Sequence, residues 1–260
     1  KQAAILAAAS MIVRFIGFLY RVPMTAIIGD AGNAIYSAGY QVYNFLLILS
    51  SAGLPAAIGK MVSERLALKQ YKNAHKVFRV SLMLSGGLSF VFMVMLLLFS
   101  KEIAVNICKI PDAYYTLMSL APTIFIVGIM SAFRGYFQGM NNMVPTAVSQ
   151  IVEQIFNAVF SVLLAWLFIK NSVALAASGG TTGTGMGAFA GLLMLFLAYG
   201  FNRRKIRKRN SLPARDYEVE STGSIIKILL KTAVPIIIGT AIYSITNLVD
   251  MSMVMDRLLA

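Results

Sequence analysis

Long apolar segments alternate with short polar ones along almost the whole chain. A hydrocarbon core of about 30 Å needs roughly 20 residues of α-helix at 1.5 Å per residue. Seven segments meet this length, at residues 3–28, 34–59, 77–99, 113–138, 145–169, 183–201 and 226–255. The pattern therefore predicts an all-α, polytopic transmembrane helical bundle with no soluble domain between its spans.

A polar, basic interruption at residues 202–225 divides these spans into two groups. We interpret residues 1–201 as a lobe of six transmembrane helices and residues 202–225 as a cytoplasmic linker. Residues 226–260 are then the first helix of a second lobe. A single helix after such a linker, and a first residue that is not methionine, predict a fragment cropped at both ends.

Composition supports a membrane protein and gives it an orientation. The chain is 58% hydrophobic and 13% charged, whereas soluble domains contain about 45–50% apolar and about 25% charged residues. The net charge of +13 comes mainly from residues 60–76 and 202–227. Basic loops face the cytoplasm in membrane proteins, so the charge indicates a cytoplasmic N-terminus rather than a nucleic-acid partner.

Several kinds of site are missing from the sequence. With one cysteine and one histidine, the chain has neither a disulfide framework nor a cysteine zinc cluster. It also lacks a Walker motif, an HExxH motif and acidic metal-binding clusters. The glycine tract 178–191 lacks the Gly-Lys-Ser/Thr ending of a phosphate loop, and its position indicates an outer loop before a close-packed helix. We therefore predict no enzyme, no metal and no cofactor, and any transport would be secondary, with Na+ or H+ as candidate coupling ions.

The first span contains two arginines inside an apolar run. Arg14 lies near its middle and Arg21 follows about two turns later on the same helical face. An arginine at mid-bilayer costs at least about 2.5–3.5 kcal/mol, so it needs a water-filled cavity or an anionic partner. This pattern predicts a cationic stripe facing a cavity for an anionic ligand. In the alternative, Arg21 extends to the outer headgroups and Arg14 pairs with a buried acid.

The fifth span carries a polar face inside the membrane. Gln150, Glu153, Gln154 and Asn157 are separated by helical spacings. A carboxylate at this depth must be protonated, paired or hydrated. Glu153 therefore has three open roles: partner of Arg14, proton or sodium coupling site, or structural hydrogen-bonding group.

The second span combines aromatic residues with a predicted bend. Tyr36, Tyr40 and Tyr43 form either an interfacial belt or the mouth of a sugar-binding site. The Gly53/Pro55 pair can bend the helix.

Two further charged positions are candidate sites. Arg134 lies near the cytoplasmic end of the fourth span, where it either extends to the headgroups or contacts a phosphate. Asp250 is a second acid within an apolar run, and we expect it to balance Arg14 or Arg21 across a cavity.

Two stretches carry a family resemblance. RFIGFLYRVPMTAIIGDAGNAIYSAGYQVYNFLLILSSAGLPAAIGKMVSE and FRGYFQGMNNMVPTAVSQIVEQ resemble the multidrug/oligosaccharidyl-lipid/polysaccharide (MOP) flippase superfamily. Within it, the chain is similar to the polysaccharide biosynthesis and stage V sporulation protein B branch, which is related to the lipid II flippase MurJ. The likeness covers spans one to five well, and span six and the linker in layout only.

The resemblance implies a MATE-like and MurJ-like two-lobed transporter in the bacterial plasma membrane, monomeric when full length. Its central cavity would be lined by helices one and seven. Arg14 and Arg21 would bind the pyrophosphate of an undecaprenyl-linked sugar precursor, and Asp30 matches the acid after the first helix. The implied function is flipping of lipid-linked oligosaccharide by alternating access. The alternatives are a cation-coupled multidrug exporter of the MATE type and a non-transporting scaffold in sporulation or envelope assembly.

Overall fold

The computed structural model describes residues 2–210 and 217–259, which form α-helices and short connections. Six helical stretches among them are long and apolar enough to cross a membrane. In chain order the elements are α1 (Gln2–Ser51), α2 (Leu54–Ala67), α3 (Tyr71–Glu102) with a π-helical turn (Ile103–Ile107), α4 (Ala113–Gly139), α5 (Val144–Phe168), α6 (Val173–Asn210) and α7 (Thr222–Leu259).

The first predicted span and most of the second lie in α1, which breaks at Gly29. This residue has φ 65° and ψ −173°, a conformation that glycine adopts without the steric cost of a Cβ atom. Apart from the neighbouring residues of its own helix, no described atom lies within 4 Å of the position that a Cβ would take, so the dihedral angles rather than crowding favour glycine. We expected a loop between these spans, and the structure replaces it with this single-residue break.

The predicted bend near Gly53 and Pro55 is present as a helix break. α1 ends at Ser51, and α2 begins at Leu54 with proline in its first turn. Most of the predicted basic loop 60–76 is nevertheless helical, because α2 continues to Ala67 and α3 begins at Tyr71.

The expectation of an outer loop at residues 178–191 is wrong, because α6 begins at Val173 and contains the whole glycine tract. Glycine lowers the hydropathy on which the prediction depended, although small residues allow helices to pack closely. The predicted linker 202–225 is also shorter than expected, since α6 continues to Asn210 and α7 begins at Thr222.

Helix α4 is central and packs against α1, α2, α3 and α6. The largest hydrophobic cluster includes Ile58, Phe78, Phe133 and Tyr136, and the rings of Phe78 and Tyr136 stack with centroids 4.4 Å apart. This core fixes α4 so that its partly buried Arg134 faces α5. Helix α5 packs mainly on α6 and α1, and the first half of α1 adjoins the polar face of α5.

Candidate functional site

Arg14 and Arg21 both have exposed side chains on α1, but each lines its own cavity. The Arg14 pocket has a volume of about 300 Å³ and is lined by Ser10, Val13, Arg14, Arg134, Gln150, Glu153 and Gln154. The Arg21 pocket, also of about 300 Å³, is lined by Tyr20, Arg21, Met24, Thr25, Ile28, Asn33, Tyr36, Ser37, Tyr40 and Gln41. The cationic face of α1 is thus divided between two chemically different environments.

The Arg14 pocket contains an ion pair between α4 and α5. The Arg134 Nη2 atom donates to Glu153 Oε2 at 2.6 Å, and the two side chains are 16% and 26% exposed. Arg134 also donates to the hydroxyl of Ser149 at 3.3 Å. The pocket therefore holds two cations and one anion, and its formal charge is +1.

The ion-pair partner of Glu153 was not predicted from the sequence. We considered Arg14 as the partner, whereas the structure forms the pair with Arg134. We expected Arg134 either to extend to the headgroups or to contact a phosphate, and in the structure its guanidinium group is paired with Glu153. Arg14 lines the same pocket and is exposed, while Arg134 neutralises Glu153.

Close packing of α6 holds the backbone of Glu153 in place. A Cβ atom on Gly187 would collide with the carbonyl oxygen of Glu153, and one on Gly191 would lie 3.1 Å from the Cβ atom of Glu153. Two more glycines on the same face of α6 also contact α5: Gly183 lies against Ser161, and Gly179 lies against Leu164. Glycines four residues apart share one helical face, so this row of glycines lets α6 approach α5 directly behind the ion pair.

Both halves of α1 form the Arg21 pocket, because the break at Gly29 turns the second half back towards the first. The rings of Tyr36 and Tyr40 stack with centroids 5.5 Å apart and planes 12° apart. Among the described residues lining this pocket, Arg21 alone carries a formal charge. The pocket therefore combines one cation with aromatic rings, hydroxyl groups and amides.

Gly17 lies on α1 between the two arginines and against α5. A Cβ atom at this position would lie 3.3 Å from the Nε2 atom of Gln154. The small glycine therefore lets α1 approach Gln154 of α5 closely. The Oε1 atom of Gln150, in the Arg14 pocket, is buried and has no hydrogen-bond partner among the described residues.

Three other candidates lie outside both pockets. Asn157 is 7% exposed, and its Oδ1 atom accepts hydrogen bonds from Ser161 of the same helix at 2.8 Å and from Thr184 of α6 at 3.4 Å. Asp30 is exposed beside the break in α1, and Asp250 is exposed on α7. In the part of the chain that the structure describes, neither acid forms an ion pair, and the balance of Arg14 or Arg21 by Asp250 across a cavity stays a prediction.

Cys108 is a buried structural residue. It is fully buried, and its Sγ atom lies 3.9 Å from the carbonyl oxygen of Ala38. Burial raises the pKa of its thiol to about 11, so the thiol is uncharged at neutral pH.

Sequence reasoning missed several lining residues, some of which carried a signal. Ser10, Met24 and Thr25 lie three or four residues from an arginine on α1, so helical spacing alone could have placed them beside it. Asn33 and Ser37 lie in the second half of α1. They join the Arg21 pocket only through the break at Gly29, whose direction the sequence does not specify.

Comparison with known proteins identifies the fold and the relatives. The sequence model of the family described as polysaccharide biosynthesis protein matches residues 1–259. Stage V sporulation protein B of Bacillus subtilis (strain 168) is 32% identical over 209 residues, which are 80% of this chain and 40% of that protein. The lipid II flippase MurJ of the same organism is 30% identical over 212 residues, 77% of this chain and 39% of that protein. The chain thus spans about two fifths of these relatives.

Two solved structures share the architecture. A MOP superfamily transporter from Pyrococcus furiosus superposes with a TM-score of 0.72 at 17% identity, over 94% of this chain and 52% of that one. An outward-facing multidrug resistance MATE family transporter superposes with a TM-score of 0.71 at 17% identity, over the same shares of the two chains. The predicted all-α, MATE-like fold is confirmed.

Proposed function

The chain belongs to the polysaccharide biosynthesis protein family, and on that premise we propose that the full-length protein is a lipid-linked oligosaccharide flippase. Its substrate is an undecaprenyl-pyrophosphate-linked envelope precursor, which it moves across the bacterial plasma membrane by alternating access. The N-terminus lies in the cytoplasm, no cofactor takes part, and the full-length protein acts as a monomer.

The observation that carries this proposal is the placement of Arg14 and Arg21 on one helix, each beside a cavity of about 300 Å³. Planar guanidinium groups bind phosphate oxygens in a bidentate manner. Both side chains are exposed in the described chain, and no described carboxylate lies within ion-pair distance of either. An unpaired charge at membrane depth is stabilised by a ligand or by water, which fits an anionic headgroup.

The surroundings of Arg21 also suit a glycan. Tyr36 and Tyr40 present aromatic surface and hydroxyl groups, and Asn33, Ser37 and Gln41 add hydrogen-bonding groups. We infer that the pyrophosphate contacts the arginines while the sugar contacts the tyrosines. The break at Gly29 and the one between Ser51 and Leu54 supply points at which α1 and α2 can move relative to the remaining helices.

The ion pair counts against a cation-coupled multidrug exporter as the alternative. Such an exporter needs a carboxylate that exchanges a proton or Na+. Among the described residues that line the two pockets, Glu153 of the Arg14 pocket is the one acid. Because Arg134 already neutralises Glu153 at 2.6 Å, a coupling cation would have to displace an arginine.

The test is binding of an undecaprenyl-pyrophosphate-linked sugar to purified full-length protein. Wild type is compared with Arg14→Ala and Arg21→Ala, and with Lys60→Ala as an exposed cation outside both pockets. We expect both arginine variants to bind the precursor at least about tenfold more weakly, because hydrogen bonds to charged groups contribute about 1.5–3 kcal/mol. Lys60→Ala should bind as wild type does.

A cationic drug is titrated into the same samples to test the alternative. Drug binding that disappears in Glu153→Gln and persists in both arginine variants would assign an exporter and overturn our proposal. Unchanged precursor binding in both arginine variants would also contradict it. Circular dichroism and size-exclusion profiles of each variant separate loss of binding from loss of fold.

A further inference from the structure

A short segment before α7 is attached to the turn between α2 and α3. Arg65 of α2 is 7% exposed, and its Nε and Nη2 atoms donate to the two carboxylate oxygens of Glu220 at 2.9 Å each. Asn73 of α3 donates to the carbonyl oxygen of Glu218 and accepts from the backbone N–H of Glu220, both at 3.2 Å. These bonds fix residues 217–221 against the α2–α3 turn.

This attachment forms a third cavity, here called the α3 pocket, with a volume of about 560 Å³. Its lining combines basic side chains with two valines, namely Lys72, His75, Lys76, Arg79, Val80 and Val219. Five of these residues lie in the first three turns of α3, and Val219 comes from the attached segment. The pocket therefore depends on the Arg65–Glu220 pair, although neither of those residues lines it.

The cations of the α3 pocket are not neutralised within the described chain. The Nζ atom of Lys76 donates to the carbonyl oxygen of Glu220 at 2.6 Å, an acceptor that carries no formal charge. No described carboxylate lies within 4 Å of the charged groups of Lys72, Lys76 or Arg79. The carboxylate of Glu220 is already bound by Arg65.

His75 adds a buried donor without a partner. The Nε atom of Arg79 donates to Nε2 of His75 at 3.2 Å, so the proton of the neutral imidazole lies on Nδ1. That Nδ1 atom is buried and has no hydrogen-bond partner among the described residues. A buried unsatisfied donor is costly, and here it belongs to a residue that lines the α3 pocket.

The basic pocket continues into an apolar helical face. Lys72, Lys76, Arg79, Met83 and Phe90 follow one another at spacings of three, four and seven residues, so they share one face of α3. Met83 is 78% exposed and Phe90 is 50% exposed. Between them, a Cβ atom on Gly87 would contact nothing within 4 Å, which leaves a shallow depression along the helix.

We propose that the α3 pocket binds the phosphate headgroup of an anionic glycerophospholipid, whose acyl chain lies along the Met83–Phe90 face of α3. Lysine and arginine supply charge-assisted hydrogen bonds to the phosphate. Exposed apolar residues next to the cations distinguish a lipid from soluble phosphate. The positive-inside pattern places this end of α3 at the cytoplasmic leaflet, where anionic lipids concentrate.

The experiment measures retained phospholipid on purified full-length protein by native mass spectrometry. The protein is titrated with phosphatidylglycerol or with phosphatidylcholine. The test variant is Lys72→Gln with Arg79→Gln, since both side chains are exposed and their loss should leave the fold intact. Lys60→Gln is the matched control, because it removes one exposed cation from α2 outside the α3 pocket.

We expect the double variant to retain phosphatidylglycerol at least fivefold more weakly, with Lys60→Gln unchanged and phosphatidylcholine weak throughout. Met83→Gln should weaken phosphatidylglycerol about twofold, and millimolar inorganic phosphate should not displace the lipid. Equal losses in Lys60→Gln and the double variant would show nonspecific attraction and overturn the proposal. Displacement by inorganic phosphate, or unchanged retention in the double variant, would also overturn it.

Discussion

The Arg14 and Arg21 pockets each contain an arginine of α1, but the charged groups that surround this arginine differ between the two pockets. In the Arg14 pocket a second arginine is paired with Glu153 at 2.6 Å, so an incoming anion meets a site that already contains a carboxylate. In the Arg21 pocket tyrosines and neutral polar groups surround a single formal charge. The spacing of the arginines is therefore less informative than the helices that face each of them.

This difference predicts different roles for Arg14 and Arg21 in the proposed function. An unpaired cation in a low-dielectric pocket gains most from an anionic ligand, because nothing else neutralises it. Arg21 should thus contribute most to headgroup affinity. Arg14, beside an ion pair that can rearrange, should respond more strongly to changes in α4 and α5.

The largest expected effect is the difference between the two arginine variants. We expect Arg21→Ala to weaken precursor binding by about 10- to 100-fold, because about 1.5–3 kcal/mol of charged hydrogen bonding is lost. The described residues that line that pocket include no second cation. Arg14→Ala should lose less, since Arg134 remains. Isothermal titration of the full-length variants measures both. A greater loss in Arg14→Ala would reverse the comparison.

The next largest effect is expected on the stability of the protein, from a glycine that packs behind the Arg14 pocket. Gly187→Ala places a Cβ atom against the carbonyl oxygen of Glu153, and we expect this overpacking to reduce the free energy of unfolding by about 1–3 kcal/mol. Gly200→Ala is the matched control on α6, because a Cβ atom there would contact nothing within 4 Å. Thermal unfolding in detergent compares them. Equal melting temperatures would contradict the close packing of α6 on α5.

Sequence predicted the helices best where an apolar run has clear ends. Residues 113–138 and 145–169 match Ala113–Gly139 and Val144–Phe168 to within one residue at each end. The start of α6 was missed by ten residues, since glycine contributes little hydropathy although its packing against α5 stabilises the helix. Hydropathy records transfer to lipid, whereas this segment depends on contact with another helix.

The sequence predicted which polar residues of α5 lie together in the candidate site, but it did not predict which of them form an ion pair with which partner. Helical spacing placed Gln150, Glu153 and Gln154 together, and they do line one pocket. The pairing of Glu153 with Arg134 depends on how α4 and α5 are rotated against each other. The spacing of residues within a single helix does not specify this rotation. The second half of the Arg21 pocket depends on the backbone angles of Gly29 in the same way.

Removing the carboxylate of the Arg14 pocket should make the two pockets more alike. In Glu153→Gln, Arg134 loses its charged partner, so we expect the protein to be less stable by about 1–2 kcal/mol, as for a partly buried ion pair. The formal charge of the pocket rises from +1 to +2, and precursor binding should strengthen about two- to fivefold. Glu102→Gln, an exposed acid on α3, controls for the change in net charge. Weaker binding in Glu153→Gln would indicate that Glu153 itself contacts the ligand.

The smallest expected effect concerns the tyrosines of the Arg21 pocket. Tyr40→Phe keeps the ring that stacks on Tyr36 and removes one hydroxyl group, so we expect about two- to fivefold weaker precursor binding, the loss of one neutral hydrogen bond. Tyr243→Phe is the control, because this residue is 72% exposed on α7 and lies outside both pockets. Repeating the titration with undecaprenyl pyrophosphate that carries no sugar separates the two parts of the ligand. If the hydroxyl contacts the glycan, the difference between Tyr40→Phe and wild type disappears with that ligand; if the difference remains, Tyr40 acts on the pyrophosphate together with Arg21.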